Sequence, residues 1–181
     1  MATVTEEARS TWHDHVSDAE YRMVMEFLFR EAMLLDAGRL VEWLELLAPQ
    51  IRYTLETPRF EMVQATMRQG EPSVCLMNED MGSLEARVKQ LTTPSLTLAE
   101  NPRSISRRFV TNILVERHEG QLLAHSNVLL HRLRVGQGAP HGFSTQRTDR
   151  FAMIDGRLKL AQRQARLDEP MINTHSISAM F

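Results

Sequence analysis

The stretch FSTQRTDRFAMIDGRLKLAQRQARLD, residues 143–168, decides the fold. Each half of it largely alternates apolar and polar residues, which is typical of β-strands with one buried face. Asp155 and Gly156 join the two halves, and an Asp-Gly pair between such segments favours a tight hairpin turn. The sequence therefore predicts a long antiparallel hairpin.

Further strands are predicted upstream of this hairpin. The segments RRFVTNILVERH, residues 107–118, and QLLAHSNVLLHRLRV, residues 121–135, have strand patterns and are separated by a Glu-Gly turn. The glycine-rich segment 136–142 predicts a flexible loop. Shorter strand patterns lie at residues 50–56 and 74–77. The second half of the chain is thus predicted to be mostly sheet.

A helix is predicted ahead of the strands. The sequence SDAE begins at Ser17 and has the pattern of a capping box, in which Glu20 bonds back to the main chain of Ser17. Gly38 is placed to end the helix in a left-handed conformation. The apolar positions between them are spaced by three and four residues, which predicts one buried stripe: Tyr21, Val24, Met25, Leu28, Ala32 and Leu35.

Two shorter helices complete the predicted elements. One covers residues 40–47, contains Trp43 on its apolar face and is ended by Pro49. The other covers residues 83–91 and is capped by Ser83. Helices followed by antiparallel strands give an α+β fold. A strongly curved sheet wrapped around the helices would bury both.

Composition indicates a single globular domain. The chain has 181 residues, 43% of them hydrophobic and 24% charged, and we expect one domain over residues 1–181 with a loosely ordered arm at residues 1–16. A net charge of −2 argues against a nucleic-acid binder. No apolar run approaches the roughly 20 residues that span a bilayer. One cysteine and a polar, acidic start favour a cytoplasmic protein.

Metal and nucleophile chemistry finds little support in the sequence. A single cysteine cannot supply a zinc site or an iron–sulfur cluster within this chain. His125 and His131 share one strand face, but an iron site would also need a placed Asp or Glu, and strand histidines commonly lie at a sheet surface or satisfy a hydrogen bond. Cys75, between two apolar neighbours, is predicted to be buried and inert. We therefore expect no catalytic residue, no cofactor site and no metal site.

Acid–base catalysis is the alternative left open. A curved sheet closed by helices makes a pocket, and Asp36 lies near the end of the first helix, where it could point into that pocket. The competing interpretation is that Asp36 pairs with an arginine or bonds a loop. A stand-alone isomerase or dehydratase would need an Asp–His pair inside the sheet, whereas a solidly packed interior would favour an accessory protein. A small-ligand binding module is a third, weaker possibility.

Positive charge in this chain is almost entirely arginine. Of the 21 basic residues, only Lys89 and Lys159 are lysines. Arginine is enriched at protein interfaces and lysine is depleted there, so the bias suggests an assembly. The interface candidates comprise three arginines in ENPRSISRRFVTN, residues 100–112, and two in the first half of the hairpin: Arg103, Arg107, Arg108, Arg147 and Arg150.

Four blocks of the chain resemble the small (β) subunit of Rieske-type aromatic-ring-hydroxylating dioxygenases. The likeness lies in their order and spacing rather than in a catalytic signature. The blocks are FLFREAMLLDAGRLVEWLELLAPQIRY (27–53), AENPRSISRRFVTNILV (99–115), AHSNVLLHRLRV (124–135) and RTDRFAMIDGRLKLAQRQARLDEPMINTHSISAMF (147–181).

This resemblance implies a cone-shaped α+β fold of the nuclear-transport-factor-2 or cystatin-like type. It implies a structural, non-catalytic subunit in an α3β3 complex that degrades aromatic compounds. The α subunit of the family carries the Rieske [2Fe–2S] cluster and the mononuclear Fe(II), and a reductase, often with a ferredoxin, supplies the electrons. In some members the β subunit also influences substrate preference. We therefore expect the arginine candidates to meet carboxylates of the α subunit or of a neighbouring β subunit.

Overall fold

The structure, a computed structural model, describes residues 16–63, 66–93, 95–96, 103–134, 140–169 and 179–181, with the side chains of 60–73 excepted. The predicted arm, apart from Val16, and most of the loop 136–142 lie outside these residues. The described residues form three helices and six strands: α1 (Asp18–Ala37), α2 (Leu40–Leu44), β1 (Leu47–Val63), β2 (Thr66–Glu79), α3 (Met81–Thr92), β3 (Ile105–His118), β4 (Gln121–Leu133), β5 (His141–Ile154) and β6 (Arg157–Leu167).

The predicted ends of α1 are confirmed. The Ser17 hydroxyl accepts a hydrogen bond from the Glu20 N–H at 3.3 Å, and the Glu20 carboxylate accepts one from the Ser17 N–H at 2.9 Å. Gly38 has φ of 62°, and its N–H donates to the Leu35 carbonyl. A residue with a Cβ would be strained in this conformation, so glycine ends the helix here.

The shorter helices differ from the prediction at their ends. α2 stops at Leu44, and Leu47 and Pro49 already belong to β1. α3 is capped by Asp80, whose carboxylate accepts from the Ser83 N–H, while the Ser83 hydroxyl accepts from the Asp80 N–H; both bonds are 2.9 Å. Ser83 therefore completes the capping box from inside the helix. Asp80 and Ser83 are both of capping type, which makes this boundary hard to predict from sequence.

The six strands form one sheet in the order β2-β1-β6-β5-β4-β3. The predicted hairpin is β5 and β6, which pair antiparallel around Asp155 and Gly156, with φ of 50° and 71°. All neighbours are antiparallel except β1 and β6, which run parallel. β1 continues through Pro58 because the β1–β2 register shifts there, and a proline, which has no N–H, is tolerated at such an irregularity.

The helices pack on the inner face of the curved sheet. Register shifts interrupt the β1–β2, β3–β4 and β5–β6 ladders, and such bulges bend strands. Phe27 of α1 meets Phe151 of β5 with ring centroids 5.1 Å apart. Trp43 of α2 meets Tyr53 of β1 at 6.4 Å. In the described part of the chain, no helix is long and apolar enough to cross a membrane.

Candidate functional site

Four charged side chains lie inside the sheet, where a catalytic pocket would be expected. Glu31 comes from α1, Arg147 and Asp149 from β5, and Arg163 from β6. Each is at most 3% exposed. Asp149 and Arg163 are opposite each other in the β5–β6 ladder, and Arg147 is two residues away on the same face. The strand register therefore places these charges together.

Arg163 connects both carboxylates. Its Nε and Nη2 donate to the two oxygens of Asp149 at 2.7 and 2.8 Å. Its Nη1 and Nη2 donate to the two oxygens of Glu31 at 2.6 and 2.7 Å. Arg147 Nη1 donates to Glu31 Oε2 at 3.4 Å. Two guanidinium groups thus neutralise two carboxylates, which is how buried charge is tolerated.

The pKa shifts of Glu31 and Arg163 both favour the charged form of the group. Burial opposes ionisation of Glu31, but the positive charges of Arg163 and Arg147 outweigh it and lower its pKa from 4.5 to about 2. Burial also opposes the charge of Arg163, yet Asp149 and Glu31 raise its pKa well above the ordinary value. A carboxylate this acidic is a poor proton acceptor near neutral pH.

Aromatic and main-chain groups close the cluster on its other sides. Trp43 Nε1 donates to Glu31 Oε1 at 3.0 Å. The main-chain oxygen of Phe181 accepts from Arg163 Nη1 at 2.9 Å and from the Tyr53 hydroxyl at 2.6 Å. The Phe181 N–H donates back to the Tyr53 oxygen at 2.7 Å. Trp43, on the apolar face predicted for α2, is fully buried and belongs to the core.

Asp36 forms a second ion pair, with Arg108 of β3. Its carboxylate accepts from Arg108 Nη1 at 2.6 Å and from the Arg108 main-chain N–H at 3.0 Å. Arg108 Nη2 also donates to the Met180 carbonyl at 2.6 Å. Burial lowers the pKa of Arg108 although Asp36 opposes that effect. The pair fastens the end of α1 to β3, as the competing interpretation of Asp36 predicts.

Two candidate arginines lie on the surface beside this pair. Arg103 Nη1 donates to the Ala37 carbonyl at 3.1 Å, and Arg107 Nη1 donates to the Ser106 carbonyl at 3.2 Å. Both side chains are exposed and line an open groove, together with the apolar Met33 and Ile105. Within the described residues, neither arginine has a carboxylate partner.

The other three candidates lie in different surroundings. The side chains of Arg108 and Arg147 are 4% and 2% exposed, against carboxylates of this chain. Arg150 is half-buried and lines a polar cavity of about 290 Å³ that also includes Thr148 and Gln162. Direct pairing with another subunit therefore stays a prediction for Arg103, Arg107 and Arg150, whereas Arg108 and Arg147 support the chain's own interior.

His125 and Cys75 were considered for metal and thiol chemistry, and the structure shows the surroundings of both. His125 Nε2 lies 3.1 Å from Glu116 Oε1, and its Nδ1 lies 3.3 Å from Thr148 Oγ1. Among the described residues, no three His, Cys, Asp or Glu side chains are grouped to hold a metal. The burial predicted for Cys75 is wrong, since this residue and Val74 are exposed. Both lie in β2, which is an edge strand of the sheet and has β1 as its single neighbouring strand.

Comparison with known families connects this geometry to a class of proteins. A sequence model described as the ring-hydroxylating β subunit matches residues 30–174. The chain belongs to this β-subunit family. A naphthalene 1,2-dioxygenase, solved with indole bound in its active site, has a chain 25% identical to this one. The two superpose with a TM-score of 0.80, over 100% of this chain and 95% of that one.

More distant structures share the fold. The β subunit of the benzoate 1,2-dioxygenase from Burkholderia mallei is 16% identical, with a TM-score of 0.65 over 86% of this chain and 93% of that one. A protein from Novosphingobium aromaticivorans assigned as a scytalone dehydratase is 13% identical, with a TM-score of 0.62 over 89% and 91%. The predicted α+β, nuclear-transport-factor-2-like fold is thereby confirmed.

The resemblance noted in the sequence is also confirmed. The chain is a β subunit of a ring-hydroxylating dioxygenase, and family membership implies an α subunit as its partner. It is thus part of an oxidoreductase complex. The interior charge cluster is the feature that sequence reasoning missed. Its signal was present in the alternation of β5, where Arg147 and Asp149 occupy the same parity as the buried Phe143 and Phe151.

Proposed function

We propose that this chain is the structural, non-catalytic component of its dioxygenase. The observation that carries the proposal is the closed charge cluster at the centre of the sheet. An enzyme with this fold would need an acid or base free to meet a substrate there. Here Glu31 and Asp149 are both held by Arg163, and the described interior contains no Asp–His pair. The isomerase or dehydratase alternative shares the fold but would need such a free group, so the structural role is favoured.

The redox groups are proposed to belong to the α subunit. A Rieske cluster needs two cysteines and two histidines. This chain has one cysteine, Cys75, and in the described residues it has no third ligand grouped with a histidine pair. The donor set does not fit either iron group, so we derive no step through iron on this chain. We propose one domain over residues 1–181, in the cytoplasm, with α in an α3β3 complex and electrons arriving through a reductase.

An apolar patch next to Arg107 supports a docking role for this end of the sheet. Ile105, Phe109 and Leu129 are 52%, 55% and 50% exposed. Phe109 and Leu129 are opposite each other in the β3–β4 ladder, and Arg107 lies between Ile105 and Phe109 on the same face. Interfaces combine an apolar centre with arginine. We propose that this patch meets the α subunit or a neighbouring β subunit, and that Arg103 and Arg107 pair with its carboxylates.

A reconstitution experiment tests the structural role. The full chain, purified alone and with its α subunit, is assayed for iron content and for oxidation of an arene with O₂ and reduced electron-transfer proteins. We expect iron and product only when α is present. Turnover by the chain alone would overturn the proposal.

The docking surface is tested with Arg107→Ala and a matched control, Arg157→Ala, which removes an exposed arginine at the start of β6. Truncating one partner of a desolvated charge pair costs about 2–5 kcal/mol of association. We therefore expect Arg107→Ala to weaken the complex, measured by sedimentation, while Arg157→Ala leaves it intact. Equal affinities for α in both variants would remove this surface from the interface.

A further inference from the structure

A cavity of about 420 Å³ lies where the start of α1 meets the turns that join β3 to β4 and β5 to β6. Small-molecule sites occupy roughly 300–1,000 Å³, so this cavity is large enough for a small ligand. It is separate from the interior charge cluster and from the surface beside Arg107, because neither Glu31, Arg163 nor Arg107 lines it.

Most of the side chains that line the cavity are apolar, and the strand registers bring them together. Leu122 and Phe151 are opposite each other in the β4–β5 ladder and are 8% and 2% exposed. Met153 and Leu158 are opposite each other in the β5–β6 ladder. Met23 of α1 and Met153 are 37% and 54% exposed. The lining thus continues from the core to the surface, where a ligand can enter.

The two charged side chains of the lining neutralise each other. Arg117 Nη2 donates to the Glu20 carboxylate, and Arg117 Nη1 donates to the Gly120 carbonyl at 2.9 Å. The other oxygen of Glu20 accepts from the Ser17 N–H at 2.9 Å and from the Ser17 hydroxyl at 2.8 Å. A charged ligand would leave water here without gaining a counter-charge of its own, which is unfavourable. The lining therefore favours an uncharged ligand.

The chemistry of the apolar groups favours an aromatic ligand over a saturated one. Met23 and Met153 each contribute a polarisable thioether, and sulfur makes favourable contacts with the edge of an aromatic ring. Phe151 already contacts Phe27 with ring centroids 5.1 Å apart and ring planes at 78°, and aromatic rings prefer such edge-to-face contacts. The planar guanidinium of Arg117 suits stacking on a ring. A saturated ligand of the same size would gain burial but none of these contacts.

We propose that this cavity binds a small, uncharged aromatic molecule. Its ring contacts Met23, Met153 and Phe151, while the ion pair between Glu20 and Arg117 stays intact. The site needs no catalytic group, and it does not depend on the non-catalytic role proposed above. It gives this subunit a ligand of its own.

The location is tested by NMR on the full chain with isotope-labelled methionine methyl groups, titrated with 5-fluoroindole. We expect the methyl signals of Met23 and Met153 to shift together and to saturate with one Kd. The signal of Met33, which is on the same helix as Met23 but does not line the cavity, should stay in place. Signals are assigned from Met23→Gln, Met33→Gln and Met153→Gln. Shifts confined to other methionines, or the absence of a saturable shift, would overturn the proposal.

The same variants test the affinity through the fluorine signal of 5-fluoroindole. Met23→Gln and Met153→Gln should each weaken binding by about threefold or more, because the sulfur–ring contact is lost and an amide must be desolvated. Met33→Gln is the matched control and should change the Kd by less than about twofold. All three side chains belong to residues at least 37% exposed, so the variants should fold like the unchanged chain. Equal affinity in the three variants would rule the site out.

Two matched pairs of ligands separate charge from aromaticity. The anion 5-fluoroindole-2-carboxylate adds one negative charge to the probe and should bind at least about tenfold more weakly. Phenol should displace 5-fluoroindole at a concentration several times lower than cyclohexanol, its saturated counterpart. Equal affinity within the first pair would overturn the proposal of an uncharged ligand, and equal displacement within the second would overturn that of an aromatic one.

The complex with α provides the last test. Labelled methionine is placed only in this chain, so a ligand bound only to α does not contact the labelled methyl groups. We expect Met23 and Met153 to shift with 5-fluoroindole in the complex as they do in the free chain. Loss of these shifts would overturn the proposal, and would assign the cavity to contacts with the partner subunit.

Discussion

Arg163 holds the interior together because it bonds two buried carboxylates at once. Glu31 and Asp149 come from elements far apart in the sequence, α1 and β5, and each contributes both oxygens to this one guanidinium. The Tyr53 ring lies 5.6 Å from the guanidinium carbon, in cation–π range. The packing of α1 against the sheet therefore depends on the bonds of Arg163 to Glu31 and Asp149.

Replacing Arg163 tests this dependence. Arg163→Met fills a similar volume but leaves two buried carboxylates with Arg147 as their remaining cation. Breaking a buried pair in this way costs about 3–5 kcal/mol, and we expect that loss in the free energy of unfolding measured with urea. Arg157→Met, at the exposed start of the same strand, serves as the control. Equal stability of the two variants would contradict the argument.

The existence of this cluster could be predicted only in part. Glu31 falls within the apolar stripe of α1, three residues after Leu28 and four before Leu35, so its burial could be predicted. The partner of Glu31 could not, because the α1–β6 contact depends on how the sheet curves. Asp36 shows the same limit, since the sequence offered an arginine as its partner but gave no means of choosing Arg108.

At the scale of elements, the sequence predicts helix ends and turns correctly where a single residue type sets the local backbone conformation. The Ser17 capping box, the left-handed Gly38 and the Asp155–Gly156 turn are all confirmed. Boundaries that depend on tertiary contacts were not predictable. The Leu46 carbonyl accepts a hydrogen bond from the Leu160 N–H of β6. This contact with a strand distant in sequence, rather than a local helical bond, explains why β1 begins at Leu47.

Gly38 ends α1 in a left-handed conformation and also leaves space for the Arg103 guanidinium. Two variants can separate these roles. Gly38→Ala and Gly156→Ala both place a Cβ at positive φ, which costs roughly 1–2 kcal/mol. A Cβ at Gly156 meets nothing within 4 Å, whereas at Gly38 it displaces Arg103. We expect Gly38→Ala to lose a further 0.5–1.5 kcal/mol or so, the contribution of one hydrogen bond.

Thermal unfolding of the two variants measures this difference directly. A lower melting temperature for Gly38→Ala than for Gly156→Ala is the expected result. If Gly156→Ala is the less stable variant, the close contact between Arg103 and Gly38 does not contribute to stability.

At the scale of the whole molecule, the buried cluster makes stability depend on pH. The pKa of Glu31 is lowered from 4.5 in the unfolded chain to about 2 in the fold. Its contribution is therefore fully present above pH 4.5 and is lost as the pH falls towards 2. A shift of this size corresponds to about 3 kcal/mol.

Urea unfolding between pH 7 and pH 3 tests the effect. The unchanged chain should lose stability steeply below pH 4.5, and Glu31→Gln should lose less over the same interval although it is less stable at pH 7. Parallel curves for the two proteins would show that other carboxylates cause the acid sensitivity.

The parallel pairing of β1 with β6 has a consequence for biosynthesis. The Thr54 hydroxyl bonds the Arg163 carbonyl across this pair, over a separation of 109 residues. At roughly 5–20 residues per second, a ribosome needs on the order of 5–20 s to deliver β6 after β1 has emerged. During that time the nascent β1–β2 ribbon has an open edge and an uncovered apolar face. Protection by a chaperone, or early association with the partner subunit, would matter most in that interval.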